Sequence, residues 1–137
     1  MEQIALPTAG LVVVKDNKLL LAFSKNKNAW YLPGGKIDNE ESSLEALRRE
    51  ILEELNFELK LKRLKYFCHI TASAYGESSN IIMEQDCFLY DLNETIKPAN
   101  EIGEVKFFDL EMYQSEPAQV PGVLKIFDKL SKEKLLI

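Results

Sequence analysis

The chain has 137 residues, of which 46% are hydrophobic and 28% are charged, and its formal net charge is −5. These proportions exclude a disordered or membrane-spanning chain, and no apolar run approaches the ~20 residues that a bilayer requires. The acidic balance argues against a broad surface for long nucleic acids, which depends on clustered lysines and arginines. We expect one domain over residues 1–137 and, because the N-terminus has no secretory signal, a cytoplasmic location.

The first elements are β-branched or leucine-rich segments, which predict strands over residues 9–14 and 18–23. Residues 15–17, Lys-Asp-Asn, predict the tight turn that joins them as a hairpin. A third strand, over residues 30–32, is short. Residues 33–35, Pro-Gly-Gly, predict a loop, because these residue types interrupt regular structure and give the backbone unusual freedom.

A helix is predicted over residues 43–55. Ser42 precedes Glu45 by three residues, which is the spacing of a capping box, in which both side chains satisfy amides left unpaired at a helix start. The apolar residues repeat at steps of three and four and predict one buried stripe: Leu44, Leu47, Ile51 and Leu55. Asn56 suits a left-handed C-terminal cap, because asparagine tolerates positive φ.

The C-terminal half predicts three strands, over residues 57–70, 81–90 and 104–109, with a polar loop at 75–80. A final helix is predicted over residues 121–132. Its inward-facing residues are expected to be Val123, Leu124, Phe127 and Leu130. Strands around a central helix, followed by a terminal helix, predict an α/β fold with a mixed sheet packed between helices.

Two cysteines and one histidine lie in the predicted strands. Cys68 and Cys87 lack the paired spacing of a metal site, so we expect buried thiols. His69 lies in an apolar stretch, and we expect a hydrogen-bonded histidine of the core rather than a catalytic one.

Three carboxylates cluster on the predicted helix. Glu50, Glu53 and Glu54 stand at positions i, i+3 and i+4, so they share one helical face. Their mutual repulsion destabilises an isolated helix, whereas a divalent cation such as Mg²⁺ or Mn²⁺ prefers these oxygen ligands. A solvated acidic helix face is the alternative that the cluster alone leaves open.

The residues around the cluster resemble a known motif. Gly35, five intervening residues, Glu41, seven intervening residues and then Arg49-Glu50-Ile51-Leu52-Glu53-Glu54-Leu55-Asn56-Phe57 are similar to the box of the Nudix hydrolase family, G-x5-E-x7-R-E-U-x-E-E-x-G-U, in which U is bulky and apolar. Asn56 replaces the glycine of the motif and is able to adopt the same helix-ending conformation. The resemblance implies the family's α/β/α sandwich with a mixed sheet.

By this resemblance the site is expected to bind Mg²⁺, with Mn²⁺ as the alternative. The ligands it implies are the backbone carbonyl of Gly35 and the carboxylates of Glu50, Glu53 and Glu54. The metal ions would neutralise a diphosphate and lower the pKa of an attacking water.

The same resemblance implies further roles. Arg49 and Glu41 are expected to pair, holding the loop against the helix and orienting Glu50. Glu50 is the first candidate for the general base. Glu101 resembles a later-loop position that some family members use and is the second candidate, with a surface acid as the alternative.

The sequence also offers candidates for contacting the substrate, each with an alternative. Lys25 and Lys36 are candidates for contacting phosphates, or else they are solvated charges. Trp30, Tyr31 and Phe23 are candidates for stacking on a base, because aromatic faces bind all bases, or else they belong to the core.

The resemblance implies hydrolysis of a diphosphate bond in a nucleoside diphosphate derivative. A MutT-like nucleoside triphosphate pyrophosphohydrolase is the first expectation, because the chain is small and shows no added domain. The alternatives are an ADP-ribose or dinucleotide polyphosphate hydrolase and a catalytically silent domain that senses a nucleotide. An isoprenoid diphosphate isomerase would need a catalytic cysteine, a role that neither Cys68 nor Cys87 fits. The expected partner is a small nucleotide, and we expect no binding to a membrane or to long nucleic acids. Whether the chain forms a homodimer is left open by the sequence.

Overall fold

The computed structural model describes residues 2–137, which form eight strands and three α-helices. In chain order these are β1 (Ile4–Val12), β2 (Val14–Lys15), β3 (Lys18–Ser24), β4 (Ala29–Tyr31), β5 (Gly34–Lys36), α1 (Ser43–Leu55), β6 (Leu64–Ser73), β7 (Ile81–Tyr90), β8 (Ile102–Phe108), α2 (Leu110–Gln114) and α3 (Pro121–Lys132). No helix in the described chain combines the length and the apolar composition that crossing a membrane requires.

The strands form two sheets. The first has the order β5-β1-β7-β6 and is mixed, because β1 and β7 are parallel while the other pairs are antiparallel. In the second, β3 pairs antiparallel with β2, β4 and β8. One apolar cluster packs under α1 and another packs under α3. The predicted α/β/α sandwich with a mixed sheet is confirmed.

Short-range sequence signals predicted the first hairpin and α1 correctly. Asp16 and Asn17, between β2 and β3, have φ of 52° and 61°, as a two-residue hairpin turn requires. At the start of α1, Ser42 Oγ accepts from Glu45 N at 3.1 Å, and Glu45 Oε1 accepts from Ser42 N at 2.8 Å. Asn56 ends the helix at φ 60° and ψ 38°. The hairpin, the helix bounds and both caps are therefore confirmed.

The prediction of a loop over residues 33–35 was wrong in part. Gly34–Lys36 forms β5, because it pairs antiparallel with β1 and places Gly35 opposite Ala9. The glycines were recognised as a source of backbone freedom, but the strand that pairs with them lies more than twenty residues earlier in the chain. Pairing at that distance is a tertiary contact and has no local signal.

The prediction of one long strand over residues 57–70 was also wrong. Leu61–Arg63 forms a 3₁₀ turn, and β6 begins only at Leu64. Before the turn, the Phe57 ring stacks on Tyr90 with centroids 6.0 Å apart, and the Tyr90 hydroxyl accepts from Lys60 N at 3.0 Å. This segment therefore packs against the end of β7 instead of pairing along a sheet.

Several smaller differences concern the ends of elements. The strand predicted over residues 104–109 begins earlier, at Ile102. The short helix α2 was not predicted, although Asp109 caps it by accepting from Met112 N at 2.8 Å. In α3, Leu124 is only partly buried, and Ile126 is buried instead. The bounds of α3 and β7 agree with the prediction.

The expectation of a core position for His69 was wrong, whereas both cysteines are buried as expected. Successive residues of a strand point to opposite faces, so the burial of Cys68 places His69 on the open face, where its side chain is 44% exposed. His69 Nδ1 lies 2.9 Å from Asp86 Oδ1 and Nε2 lies 2.7 Å from Glu84 Oε1. Hydrogen bonds to Asp86 and then Glu84 raise the pKa of His69.

Candidate active site

A cleft of about 480 Å³ is lined by strands of both sheets and by α1. Its charged lining consists of Lys27, Lys36, Asp38, Glu50, Glu54, Glu77 and Glu101. Its apolar lining consists of Leu6, Ala22, Tyr31, Leu32, Ala74, Tyr75, Met83, Ile102 and Val120. A concave surface that combines apolar side chains with a few polar ones is typical of a small-molecule site.

Two glycines bring the backbone of β5 directly against the carboxylates of α1. Gly34 has φ +136°, and a Cβ at this position would lie 2.0 Å from the carbonyl oxygen of Ala9. The amide of Gly34 donates to Glu54 Oε1 at 3.0 Å. A Cβ on Gly35 would lie 2.6 Å from the carboxyl carbon of Glu50. Only glycine permits this close approach at both positions.

Arg49 connects the loop after β5 to α1. Its Nε and Nη2 donate to Glu41 Oε2 and Oε1 at 2.8 and 3.0 Å, and its Nη1 donates to Glu50 Oε1 at 2.7 Å. Nη2 also donates to the carbonyl of Lys36 at 3.0 Å. The bond from Arg49, joined by one from the amide of Asp38, lowers the pKa of Glu41 to about 2. The two-point pairing fixes the loop geometry in the way expected from the sequence.

Burial raises the pKa of two carboxylates of the cleft, Glu50 and Glu54, in contrast to the lowered pKa of Glu41. Glu54 is only 6% exposed, and desolvation raises its pKa from the ordinary 4.5 to about 8, against the opposing bond from Gly34. Desolvation also raises the pKa of Glu50, although the bond from Arg49 acts in the other direction. Both groups therefore lie where a nearby positive charge would favour their ionised forms.

The donor set of the cleft suits a divalent cation. Among residues 2–137, no three His, Cys, Asp or Glu side chains converge as a ready-made metal cage. Glu50 and Glu54 both line the cleft, whereas the Glu53 side chain is 54% exposed and lies outside the lining. Within the described chain, Glu54 has no ion pair with Lys, Arg or His, and a buried carboxylate without counter-charge is costly. These oxygen donors fit a hard divalent metal ion.

Glu101 lies in the same cleft, although it comes from a distant part of the chain. Its Oε2 accepts from Asn26 Nδ2 at 2.6 Å, and its backbone carbonyl accepts from the amide of Lys25 at 2.9 Å. These contacts join the end of β3 to the start of β8. The structure thus brings Glu101 into one lining with Glu50 and Glu54.

The five candidate substrate contacts separate into two groups, and Phe23 belongs to the group outside the lining, since its ring packs edge-on against Trp30 with centroids 5.3 Å apart. Lys36 and Tyr31 line the cleft, and the Tyr31 hydroxyl donates to the carbonyl of Tyr75 at 3.3 Å. Lys25 is exposed but does not belong to the lining. Trp30 is 7% exposed and packs edge-on against Phe108 in the core, so the alternative assignment to the core describes its position.

Sequence reasoning missed several residues of the lining. Lys27 Nζ pairs with Glu77 Oε2 at 2.6 Å and joins the loop after β3 to the loop before β7. Thr8 and Gln85 are buried polar residues on β1 and β7. No motif or spacing in the sequence singles these residues out, so only the assembled sheets and loops show that they meet.

A sequence model of the NUDIX domain matches residues 5–130. The chain belongs to the NUDIX domain family. The matched span contains the whole of β5, the following loop and α1, so Arg49, Glu50 and Glu54 are part of the Nudix domain.

Comparison with individual proteins agrees with this assignment. An ADP-ribose pyrophosphatase of Methanocaldococcus jannaschii is 31% identical over 102 residues, which are 72% of this chain but only 59% of that relative's length. The MutT protein from Methanosarcina mazei Go1 has a TM-score of 0.77 at 18% identity, with 98% of each chain covered. A bifunctional NMN adenylyltransferase/ADP ribose pyrophosphatase from Francisella tularensis, complexed with AMP and a Mn ion, has a TM-score of 0.71 at 22% identity, covering 96% of this chain and 42% of that one. The two solved structures show that this Nudix chain has their fold.

Proposed function

We propose that this Nudix chain is a pyrophosphohydrolase that cleaves a diphosphate bond in a nucleoside diphosphate derivative, with ADP-ribose as the first candidate. The observation that carries the proposal is the buried Glu54 carboxylate, which stands beside Glu50 in the cleft and has no basic partner among residues 2–137. The two neighbouring carboxylates suit a divalent cation, and such a cation is able to bind the phosphates of a substrate at the same time. Similarity to proteins named ADP-ribose pyrophosphatase supports ADP-ribose over the nucleoside triphosphates first expected.

In this proposal a divalent cation completes the site, with Mg²⁺ as the first candidate and Mn²⁺ as the alternative. Glu50 and Glu54 would hold it from α1 together with the carbonyl of Gly35. Glu53 carries the third carboxylate of the same helix face. When bound, the cation neutralises the diphosphate and lowers the pKa of a bound water.

Arg49 acts in the proposal as a positioning residue. It holds Glu50 Oε1 at 2.7 Å, while Glu50 Oε2 lies against Gly35, 2.6 Å from the position of an added Cβ. We assign acceptance of the proton from the attacking water to this second oxygen, because the Arg49 guanidinium donates to Oε1 and not to Oε2. Glu101, held by Asn26, is the second candidate for this role. Lys36 is the candidate contact for the phosphates.

The test is a product assay with Mg²⁺ and with Mn²⁺ on ADP-ribose, nucleoside triphosphates and dinucleotide polyphosphates. We expect metal-dependent turnover, with the highest kcat/KM for ADP-ribose. Glu54→Gln should lower kcat/KM by about a hundredfold or more, because a metal ligand contributes several kcal/mol to the transition state. The matched control is Glu58→Gln, which removes an exposed carboxylate just after the same helix and should leave turnover unchanged.

Two outcomes would overturn parts of this proposal. Preferential turnover of nucleoside triphosphates would replace ADP-ribose as the substrate while keeping the reaction. A folded protein that binds nucleotides and hydrolyses none of these compounds with either metal would identify the chain as a nucleotide-sensing domain instead.

A further inference from the structure

Thr8 and Gln85 are the two buried uncharged polar side chains of β1 and β7 that line the cleft. They stand opposite each other in the parallel pairing of the two strands and are 7% and 8% exposed. Among residues 2–137, Thr8 Oγ1 is the only buried side-chain nitrogen or oxygen that has no hydrogen-bond partner. Buried polar groups are normally paired, so an unpaired hydroxyl beside a cleft calls for an explanation.

The side-chain amide of Gln85 also has hydrogen-bonding capacity that the protein does not satisfy. Its Oε1 accepts only from the Cys87 thiol, a weak donor, at 3.6 Å, and its Nε2 donates to no residue among 2–137. Space for this amide depends on Gly10, because a Cβ there would lie 3.0 Å from both the Cδ and the Nε2 of Gln85. The sheet thus accommodates a primary amide next to the Thr8 hydroxyl and leaves donors of both unsatisfied by the protein.

The surroundings indicate which kind of group would satisfy them. Tyr31, Tyr75, Leu6 and Met83 belong to the same lining. Aromatic and apolar side chains stack on flat heterocycles, and a glutamine amide pairs with a base edge that offers one acceptor beside one donor. A threonine hydroxyl is able to donate or accept at the next position of such an edge.

We propose that Thr8 and Gln85 are specificity-determining residues that hydrogen-bond the polar edge of a nucleobase held by the apolar lining. The inference rests on the proposed function, since it assigns the binding position of the nucleoside part of that substrate. The inference also explains why the Thr8 hydroxyl has no hydrogen-bond partner in the protein, because the bound base would supply that partner.

The test is calorimetric titration in the presence of Mg²⁺ with three probes that contain no diphosphate bond. These are AMP, the monophosphate of purine riboside, which lacks the exocyclic amino group, and ribose 5-phosphate, which lacks the base. For the wild-type protein we expect AMP to bind about tenfold more tightly than the purine riboside monophosphate, the range of one hydrogen bond. Gln85→Leu should weaken AMP binding by about tenfold, remove the difference between the two nucleotides and leave ribose 5-phosphate unaffected.

Thr8→Val supplies a second, independent measurement. Valine has nearly the same shape as threonine, so the variant should weaken AMP binding while its melting temperature stays equal to or above that of the wild type. The matched control is Thr71→Val, because the Thr71 hydroxyl lies on the open face of the same sheet and donates to Glu84 Oε1 at 2.6 Å. That variant should bind AMP as the wild type does.

The inference is overturned if both Gln85→Leu and Thr8→Val bind AMP with wild-type affinity. It is also overturned if the wild-type protein binds the purine riboside monophosphate as tightly as AMP. The inference and the proposed function can fail independently. Diphosphate hydrolysis that does not depend on Thr8 and Gln85 would contradict only the inference. Base-dependent binding without any turnover would contradict only the proposed reaction.

Discussion

The charged and apolar linings of the cleft differ in where their residues come from. Much of the charged lining belongs to one segment, Gly34 to Glu54, and its main contacts are internal, such as those of Arg49 with Glu41 and of Gly34 with Glu54. The apolar lining draws its residues from β1, β3, β4, β7 and β8, from the loops after β4 and β6, and from the residue just before α3. The proposed reaction centre is therefore formed mainly within one segment, whereas the proposed base-binding lining depends on how distant strands meet.

The largest effect is expected for Gly34→Ala, which tests the pairing of β5 with β1 that holds the charged segment in place. Because φ is +136° and the added Cβ would meet the Ala9 carbonyl at 2.0 Å, we expect a loss of more than about 3 kcal/mol in the free energy of unfolding. Gly35→Ala is the control, since its added Cβ meets the flexible end of Glu50. That variant should fold and lose turnover. Equal stability of the two variants in urea unfolding would show that β5 does not need the glycine at position 34.

The pH dependence of the metal-free protein tests the burial of Glu54. The folded state holds the proton of Glu54 more tightly than the unfolded state does, because its pKa is raised from 4.5 to about 8. The free energy of unfolding should therefore fall by a few kcal/mol as the pH rises from 4.5 to 8, and saturating Mg²⁺ should oppose this fall. Urea unfolding in a chelator should show a shallower pH slope for Glu54→Gln. Identical slopes for the variant and the wild type would refute the raised pKa.

Tyr113→Phe tests whether the hydrogen bonds of the Tyr113 hydroxyl hold the apolar lining in place. The buried Tyr113 hydroxyl donates to the carbonyl of Trp30 and accepts from the amide of Val120, both at 2.9 Å. Its removal leaves two buried groups unpaired and should cost about 1–3 kcal/mol. We also expect a higher KM with little change in kcat, because Val120 belongs to the lining. The control is Tyr66→Phe, at an exposed position, and a similar loss there would contradict the prediction.

Arg49→Lys tests the positioning of Glu50 with the smallest expected effect on stability. Lysine cannot reproduce the two-point pairing with Glu41, so we expect a loss of about 1 kcal/mol in stability and about a tenfold lower kcat. KM should change little, because Arg49 is not in the lining. Arg48→Lys is the control, since Arg48 contacts Glu58 only at 3.7 Å on the surface. If KM rises and kcat is unchanged, Arg49 contacts the substrate instead of positioning Glu50.

Interactions within a few residues explain the successful sequence predictions. The capping box of Ser42 and Glu45, the left-handed Asn56 and the spacing of Arg49, Glu50 and Glu54 all depend on neighbours within one or two helical turns. Such contacts form wherever the helix forms, so the sequence pattern was sufficient to predict them.

Long-range pairing explains the failures. His69 was expected in the core, yet the pairing of β6 with β7 places it between Asp86 and Glu84 on an open face. The same kind of pairing determines that Lys25 and Trp30, two of the candidate substrate contacts, lie outside the lining of the cleft. A strand of alternating residues has two faces, and its own sequence does not state which of them the rest of the protein covers.

By itself the sequence determined the helix with its caps, the first hairpin and the spacing of the charged groups on α1, since each depends on residues close together in the chain. Only the tertiary structure decided that Gly34–Lys36 becomes a strand, that Glu101 joins the box glutamates, and that Thr8 meets Gln85 in the lining of the cleft. The physical reason is that these relations are made by strand pairing between distant segments, and the energy of such pairing depends on the whole sheet and not on either segment alone.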